Sequence, residues 1–308
     1  MTERNPEAPR GAGQFPTPDT RHIERKWLDL AYASVSPAQK LDIYLPDAGD
    51  GPFPVIMAVH GGAFMGGDKT DMQLKPMLEG LARQYAVVSI NYRLSGESRF
   101  PAQIHDVKTA IRWVKAHAGR YALDGSRIAL WGGSAGGHLS ALAGTSAHSG
   151  QLENGGLGWA AYDSRVQAVV DWFGPTDFLT MDELFLEGEV TPLQIHHAPD
   201  SPESLLLGAP IAEVPELVKA ANPETYISEH APPFLIQHGT RDPLIPYRQS
   251  VRIYDKLAAA VGKDKVRLEL LEGAGHGGPE FESACNVNKV LDFIDAVLKL
   301  EAGKSKSD

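Results

Sequence analysis

The chain has 308 residues, 43% of them hydrophobic and 22% charged, a globular balance that excludes long-range disorder and a collagen-like fibre. Twenty-nine Lys and Arg against thirty-nine Asp and Glu leave a formal charge of −10, a field that repels nucleic-acid phosphates and anionic membranes, so neither is an expected partner. Cys285 is the single cysteine, which excludes an intrachain disulfide and a cysteine-built metal framework and suits a reducing cytoplasm.

Residues 1–26 read as a polar arm, with Pro6, Pro9, Pro16 and Pro18 among charges and without the apolar stretch of a leader peptide. No run approaches the roughly 20 apolar residues of a membrane span, and the expected location is cytoplasmic. Residues 27–33 and 41–45 predict two short antiparallel strands around a Ser36-Pro37 turn, with alternation clearest in Leu41-Asp42-Ile43-Tyr44-Leu45. Residues 55–59 form a continuous apolar run bounded by Pro54 and Gly61, the mark of a strand buried on both faces of a parallel sheet. Similar runs at 86–90, 128–131, 166–173, 234–236 and 266–271 bring the total to about eight strands.

Helical spacing fills the gaps at 72–84, 104–117, 137–147, 248–261 and 287–300. Ile104, Val107, Ile111 and Val114 share one face, as do Val290, Phe293, Ile294 and Val297. The alternation predicts an α/β fold: a mostly parallel eight-stranded sheet with helices on both faces, in one domain over 27–300 with a polar tail at 301–308. Residues 175–232 break the rhythm with Pro192, Pro199, Pro202, Pro210, Pro215 and Pro223. They predict an insertion over the sheet edge, either a lid or pocket wall or a plain surface excursion.

The run 128–131 leads straight into Gly132-Gly133-Ser134-Ala135-Gly136-Gly137 and then a helix, which puts Ser134 in a G-x-S-x-G turn, the spacing of a nucleophile elbow. Gly132 and Gly136 leave the room such a turn needs. The helix start aims free N–H groups and its positive end where an oxyanion would form. A phosphate-cradling loop is the competing reading, but neither the G-x-x-x-x-G-K-[ST] nor the G-x-G-x-x-G spacing is present. His60-Gly61-Gly62-Ala63-Phe64 follows the strand at 55–59, where a loop can hang its N–H groups over the serine.

A base for Ser134 is expected late in the chain, and His276 lies in the glycine-rich stretch Glu272-Gly273-Ala274-Gly275-His276-Gly277-Gly278 after the last strand. His138, His196, His197 and His230 are weaker candidates. Asp242, after the run at 234–236, is the expected orienting acid; its rival Asp177 has the bland reading of a helix N-cap. Phe64 and Met65 beyond the oxyanion loop, with Trp172 and Phe173 at a strand end, are candidates to close an acyl pocket after a few carbons, or else simply core.

Together these residues resemble the α/β-hydrolase superfamily over roughly residues 41–300, and within it the esterases with a His-Gly-Gly oxyanion loop, such as the hormone-sensitive-lipase-type carboxylesterases. Asn91-Tyr92-Arg93-Leu94, with Phe100-Pro101-Ala102 and Asp106, is similar to their Tyr-Arg-Leu segment. Ala63 in place of a third glycine, Ser95-Gly96-Glu97, Gly67-Asp68-Lys69 and Asp200-Ser201-Pro202-Glu203-Ser204 look more like the bifunctional acetylxylan and feruloyl esterases. The resemblance implies a triad of Ser134, Asp242 and His276, oxyanion donors at Gly62, Ala63 and Ala135, no metal or organic cofactor, and a small-molecule ester as the partner. The expected activity is that of a serine carboxylesterase acting on short acyl esters through an acyl-enzyme. The alternatives are an acetylxylan/feruloyl-type carbohydrate esterase or an aryl-formamidase or amidase, because the fold does not decide the leaving group. A non-catalytic receptor on the same fold would be expected to have lost a triad member.

Overall fold

Strand β1 (Lys26–Ala31), β2 (Lys40–Tyr44), β3 (Phe53–Val59), β4 (Ala86–Ile90), β5 (Leu123–Gly133), β6 (Ala168–Trp172), β7 (Phe234–Gly239) and β8 (Val266–Leu271) form one sheet in the order β1-β2-β4-β3-β5-β6-β7-β8. The structure is a computed structural model that describes residues 16–304; the remainder of the expected arm and tail lies outside the described residues. β2 pairs antiparallel with β1 and β4, and every other pairing is parallel.

The continuous apolar runs have a direct cause. All residues of β3, β4, β6 and β7 are buried, since successive side chains enter two different cores. In β3, Val55, Met57 and Val59 pack with Ile104, Ile111, Leu139 and Leu142, while Ile56 and Ala58 pack with Val290, Leu291 and Ile294. Each such side chain contributes on the order of 1.5–3 kcal/mol when fully buried.

The helices are α1 (Lys75–Leu78), α2 (Ala102–His117), α3 (Ala135–Ser146), α4 (Met181–Leu186), α5 (Pro202–Leu207), α6 (Pro215–Ala221), α7 (Arg248–Val261), α8 (Pro279–Glu282) and α9 (Ala284–Lys304). Two expectations need correction. The helix expected over 72–84 is broken: 3-10 turns at Met72–Leu74 and Glu79–Arg83 flank α1, because Pro76 has no N–H to continue a preceding helix and Gly80 is a poor helix former. Gly80 serves packing instead, since a Cβ there would lie 2.6 Å from Ile56 Cδ1. At the other end, α9 continues through Lys304, so part of the expected tail is helical.

The insertion between β6 and β7 lies over the edge of the sheet formed by the carboxyl ends of its parallel strands. Phe100 N donates to Leu206 O and Leu193 N to Pro243 O, both at 2.9 Å, which ties the insertion to the loops after β4 and β7. Phe178, Met181, Leu206, Ile211, Val218 and Tyr226 drive this placement by burying in the α2–α3 core. Among the described residues no helix is long and apolar enough to cross a membrane.

Candidate active site

β5 ends at Gly133 and α3 begins at Ala135. Ser134 alone makes the turn, with φ 56° and ψ −123°, a backbone state that costs a non-glycine residue on the order of 1–3 kcal/mol. The neighbours must therefore be small: a Cβ on Gly136 would overlap the Val59 carbonyl oxygen, and one on Gly132 would overlap the backbone of Gly136. Ser134 N donates to Trp172 O at 2.9 Å, and His138 N donates to Ser134 O at 3.0 Å. These bonds hold the strained residue from β6 and from α3.

β7 and β8 run in parallel register to the pair Gly239 and Leu271, so the loops that follow them leave the sheet side by side. A Cβ on Gly239 would overlap the carbonyl oxygens of Ala274 and Gly275; its absence lets the loop at 272–278 fold back across the end of β7. His276 Nδ1 then donates to Asp242 Oδ2 at 2.7 Å. Because that partner is a carboxylate, Nδ1 carries the proton and Nε2 offers its lone pair. Ser134 Oγ, 2.9 Å from Nε2, donates to it. The Phe173 ring backs the imidazole at 4.7 Å.

Asp242 is buried and fully satisfied. Oδ1 accepts the amides of Leu244 at 2.8 Å and Ile245 at 2.9 Å. Burial pushes its carboxyl group up, but the hydrogen bonds from His238 and His276 outweigh burial and hold it well below the usual carboxylate range. The ionised form is the one present at neutral pH.

The loop after β3 approaches the serine from the other side. A Cβ on Gly61 would lie 2.8 Å from Gly133 O and 3.3 Å from Ser134 Cβ. Gly62, Ala63 and Phe64 have φ of 109°, 55° and 61°, a left-handed run that turns the loop, and the amides of Met65 and Gly66 both donate to Gly62 O at 3.0 Å. His60 fastens the loop's base. Its Nδ1 donates to Gly61 O at 2.7 Å, Tyr92 Oη donates to His60 O at 2.9 Å, and the two rings stack at 4.4 Å. Burial pushes the His60 imidazole down, so it is neutral there. Ala135 opens α3, a position whose amide has no acceptor within its own helix.

The other expected residues sort themselves by contact. Phe64, Trp172 and Phe173 are buried, at 1%, 4% and 8% exposure, and only Met65, at 45%, is open to solvent. The Trp172 ring packs on Trp131 at 5.0 Å and Phe281 at 5.4 Å. Phe64 meets His138 and Phe178 edge-on at 5.3 and 6.3 Å, where the loop after β3, α3 and the insertion join. Asp177 caps its helical turn by accepting from Leu179 N, and it also accepts from Asn222 Nδ2 at 2.9 Å and Arg252 Nη2 at 3.0 Å. His196 and His197 bond to Glu203 and Asp182 within the insertion. One residue beside the site was missed by sequence reasoning, His238, whose Nε2 lies 3.1 Å from Asp242 Oδ2. The available signal was Gln237-His238, two polar residues closing an otherwise apolar strand.

A mostly parallel eight-stranded sheet clothed by helices, with a serine on a strained turn after β5 and the acid and histidine after β7 and β8, defines an α/β-hydrolase fold. The chain belongs to the BD-FAE family, whose model matches residues 41–257. It is 34% identical over 271 residues to "Probable carboxylic ester hydrolase LipM" of Mycobacterium tuberculosis, a match covering 85% of this chain and 60% of LipM. To "Esterase LipC" of the same organism it is 37% identical over 247 residues, 78% of this chain and 57% of LipC. The solved structure of a "Truncated form of carbohydrate esterase from gut microbiota" superposes with a TM-score of 0.78 at 31% identity, over 92% of this chain and 100% of that one. The chain thus spans about three-fifths of the length of these two curated relatives.

Proposed function

We propose that the protein is a serine carboxylesterase for short acyl esters, a reading carried by the hydrogen-bonded line from Asp242 through His276 to Ser134, at 2.7 and 2.9 Å. His276 Nε2 takes the hydroxyl proton as Ser134 Oγ attacks the ester carbonyl, then gives it to the departing alcohol. Water, deprotonated by the same nitrogen, cleaves the acyl-enzyme. Asp242 keeps the proton on Nδ1 and stabilises the imidazolium between the two transfers. The amides of Gly62, Ala63 and Ala135 are the oxyanion donors, aimed where negative charge develops in both tetrahedral states. Residues 27–300 act as one hydrolase domain, a reading supported by the insertion's share in the α2–α3 core. Relatives named as ester hydrolases support the chemistry.

The test is p-nitrophenyl acetate hydrolysis by the wild type and by Ser134→Ala, together with labelling by a fluorophosphonate and mapping of the labelled peptide. Ester turnover lost in Ser134→Ala, with label on Ser134 in the wild type, is the expected result; a label elsewhere would move the nucleophile. A second reading, an acyl group carried on a carbohydrate alcohol, draws support from the carbohydrate-esterase structure. Acetylated and feruloylated xylo-oligosaccharides, run beside simple alkyl esters and an N-formyl aryl amine, separate the leaving groups.

A further inference from the structure

Two histidines lean on one oxygen. His276 Nδ1 and His238 Nε2 reach the same Asp242 Oδ2, at 2.7 and 3.1 Å. His238 lies at the end of β7 with its side chain fully buried, and its ring is fixed at both nitrogens. Nε2 faces two acceptors, Asp242 Oδ2 and Ile245 O at 3.0 Å, so the proton sits on Nε2 and is shared between them. Nδ1 then accepts from Ser250 Oγ on α7, at 2.7 Å. With the amides of Leu244 and Ile245, four donors converge on the Asp242 carboxylate.

We propose that His238 is a positioning residue that, by donating to Oδ2, sets how strongly Asp242 holds the proton-bearing side of His276; this rests on the esterase reading above. A carboxylate oxygen that already accepts one hydrogen bond has less charge to offer the next donor. His238 therefore weakens the pull of Asp242 Oδ2 on the Nδ1 proton of His276. The ionisable groups facing His238 are Asp242 from its own loop, His276 from the loop after β8, and Asp171 from β6; α7 presents the Ser250 hydroxyl. Asp242 is the only one of the three within hydrogen-bond distance of the His238 ring, which makes the shared oxygen the route of the effect. A role confined to bracing the 240–247 loop through Ile245 O would cost stability and leave the titration of His276 in place.

The experiment is an NMR pH titration of the His276 Cε1 proton in the full chain, assigned by its loss in His276→Gln, for the wild type, His238→Phe and His238→Gln. His238→Phe removes the donor at similar volume, and the His276 midpoint is expected to rise by about half to one pH unit, a three- to tenfold change in proton affinity. His238→Gln keeps an N–H donor and is expected to return most of that shift. The acid limb of kcat/KM on p-nitrophenyl acetate should move with the midpoint, with KM unchanged. His238→Met, flexible enough to fill the same space, replaces the phenylalanine variant if that does not fold. Coincident wild-type and donor-free titration curves overturn the proposal, even where melting shows the variants to be less stable. The titration needs no turnover: a wild type inactive on esters overturns the esterase reading alone, and an active one with an unmoved midpoint overturns only the role of His238.

Discussion

Asp171 stands where a side chain on Gly137 would have to be: a Cβ on Gly137 would overlap Asp171 Oδ1, so β6 and the first turn of α3 touch directly behind the Ser134 turn. That Oδ1 accepts Gly174 N at 3.0 Å, while Oδ2 is buried without a hydrogen-bond partner among the described residues. Nothing in the proposed chemistry uses this carboxyl group, and its burial has a cost that depends on pH.

Burial pushes the Asp171 carboxyl from 3.8 up to about 6, with the Gly174 amide opposing it. The folded chain therefore holds this proton more tightly than the unfolded chain. The associated stability is fully present below about pH 4 and is lost as pH rises through about 6, by about 3 kcal/mol in all. Asp171→Asn removes the titration while nearly keeping the shape. It should melt higher than the wild type at pH 8 and show no such gain at pH 4. Thermal melts of both proteins at pH 4, 5, 6 and 8 check this, and a difference that is the same at every pH would contradict it.

The two candidate acids should separate by consequence. Asp242→Asn disturbs the tautomer of His276 and is expected to lower kcat by about 10⁴. Asp177→Asn weakens the tie to Arg252, which joins the insertion to α7, and is expected to cost about 1 kcal/mol of stability with kcat nearly unchanged. Steady-state kinetics and urea melts on both variants decide it; the larger loss of kcat in Asp177→Asn would reverse the assignment.

Much of this site was legible because the chemistry imposes order on the chain. The elbow needs glycines at fixed positions around Ser134, and the acid and base must follow the later parallel strands, whose apolar runs were visible at 234–236 and 266–271. The features that escaped depend on contacts across the fold. Gly80 faces Ile56, a packing reason for the glycine that, with Pro76, breaks the helix there. β5 begins at Leu123, ahead of the run at 128–131, and its pairing with β3 shifts register between Pro54 and Val55; Asp124, Gly125, Ser126 and Arg127 carry no apolar pattern to announce it. Trp172 points into a core that only the assembled sheet and α9 create. A second histidine on Asp242 became visible only when β7 and its loop were set side by side.

Gly239 shows how narrow the geometry is. Gly239→Ala would drive a methyl group into the backbone of the 272–278 loop, which cannot yield as a flexible side chain would. His276 should shift relative to Ser134, and misplacement on the order of 1 Å costs about 10² in rate. The expectation is a fall in kcat with KM nearly unchanged, and slowed fluorophosphonate labelling of Ser134, since that labelling needs the same base. Unaltered kcat in a folded Gly239→Ala protein would mean that the loop has slack.

The last prediction concerns acyl length. Phe64, next to Ala63 in the loop after β3, meets His138 of α3 and Phe178 of the insertion edge-on, and His138 stacks on Phe178 at 5.0 Å. These three rings fill the space where the loop, α3 and the insertion come together, so a long acyl chain has little room there. Along a p-nitrophenyl series, kcat/KM should fall between butyryl and octanoyl. Phe64→Leu opens that space without adding a β-branch, which the left-handed φ of 61° would resist. Each methylene newly accommodated contributes up to ~0.8 kcal/mol, roughly fourfold, so the octanoyl-to-acetyl ratio should rise in the variant, by up to about fifteenfold for two methylenes. The competing path runs the acyl chain toward the exposed Met65; in that case Phe64→Leu leaves the ratio unchanged and Met65→Ala alters it. Measuring the same series on both variants tells the two paths apart, and a wild-type maximum at octanoyl would rule out the short-acyl reading.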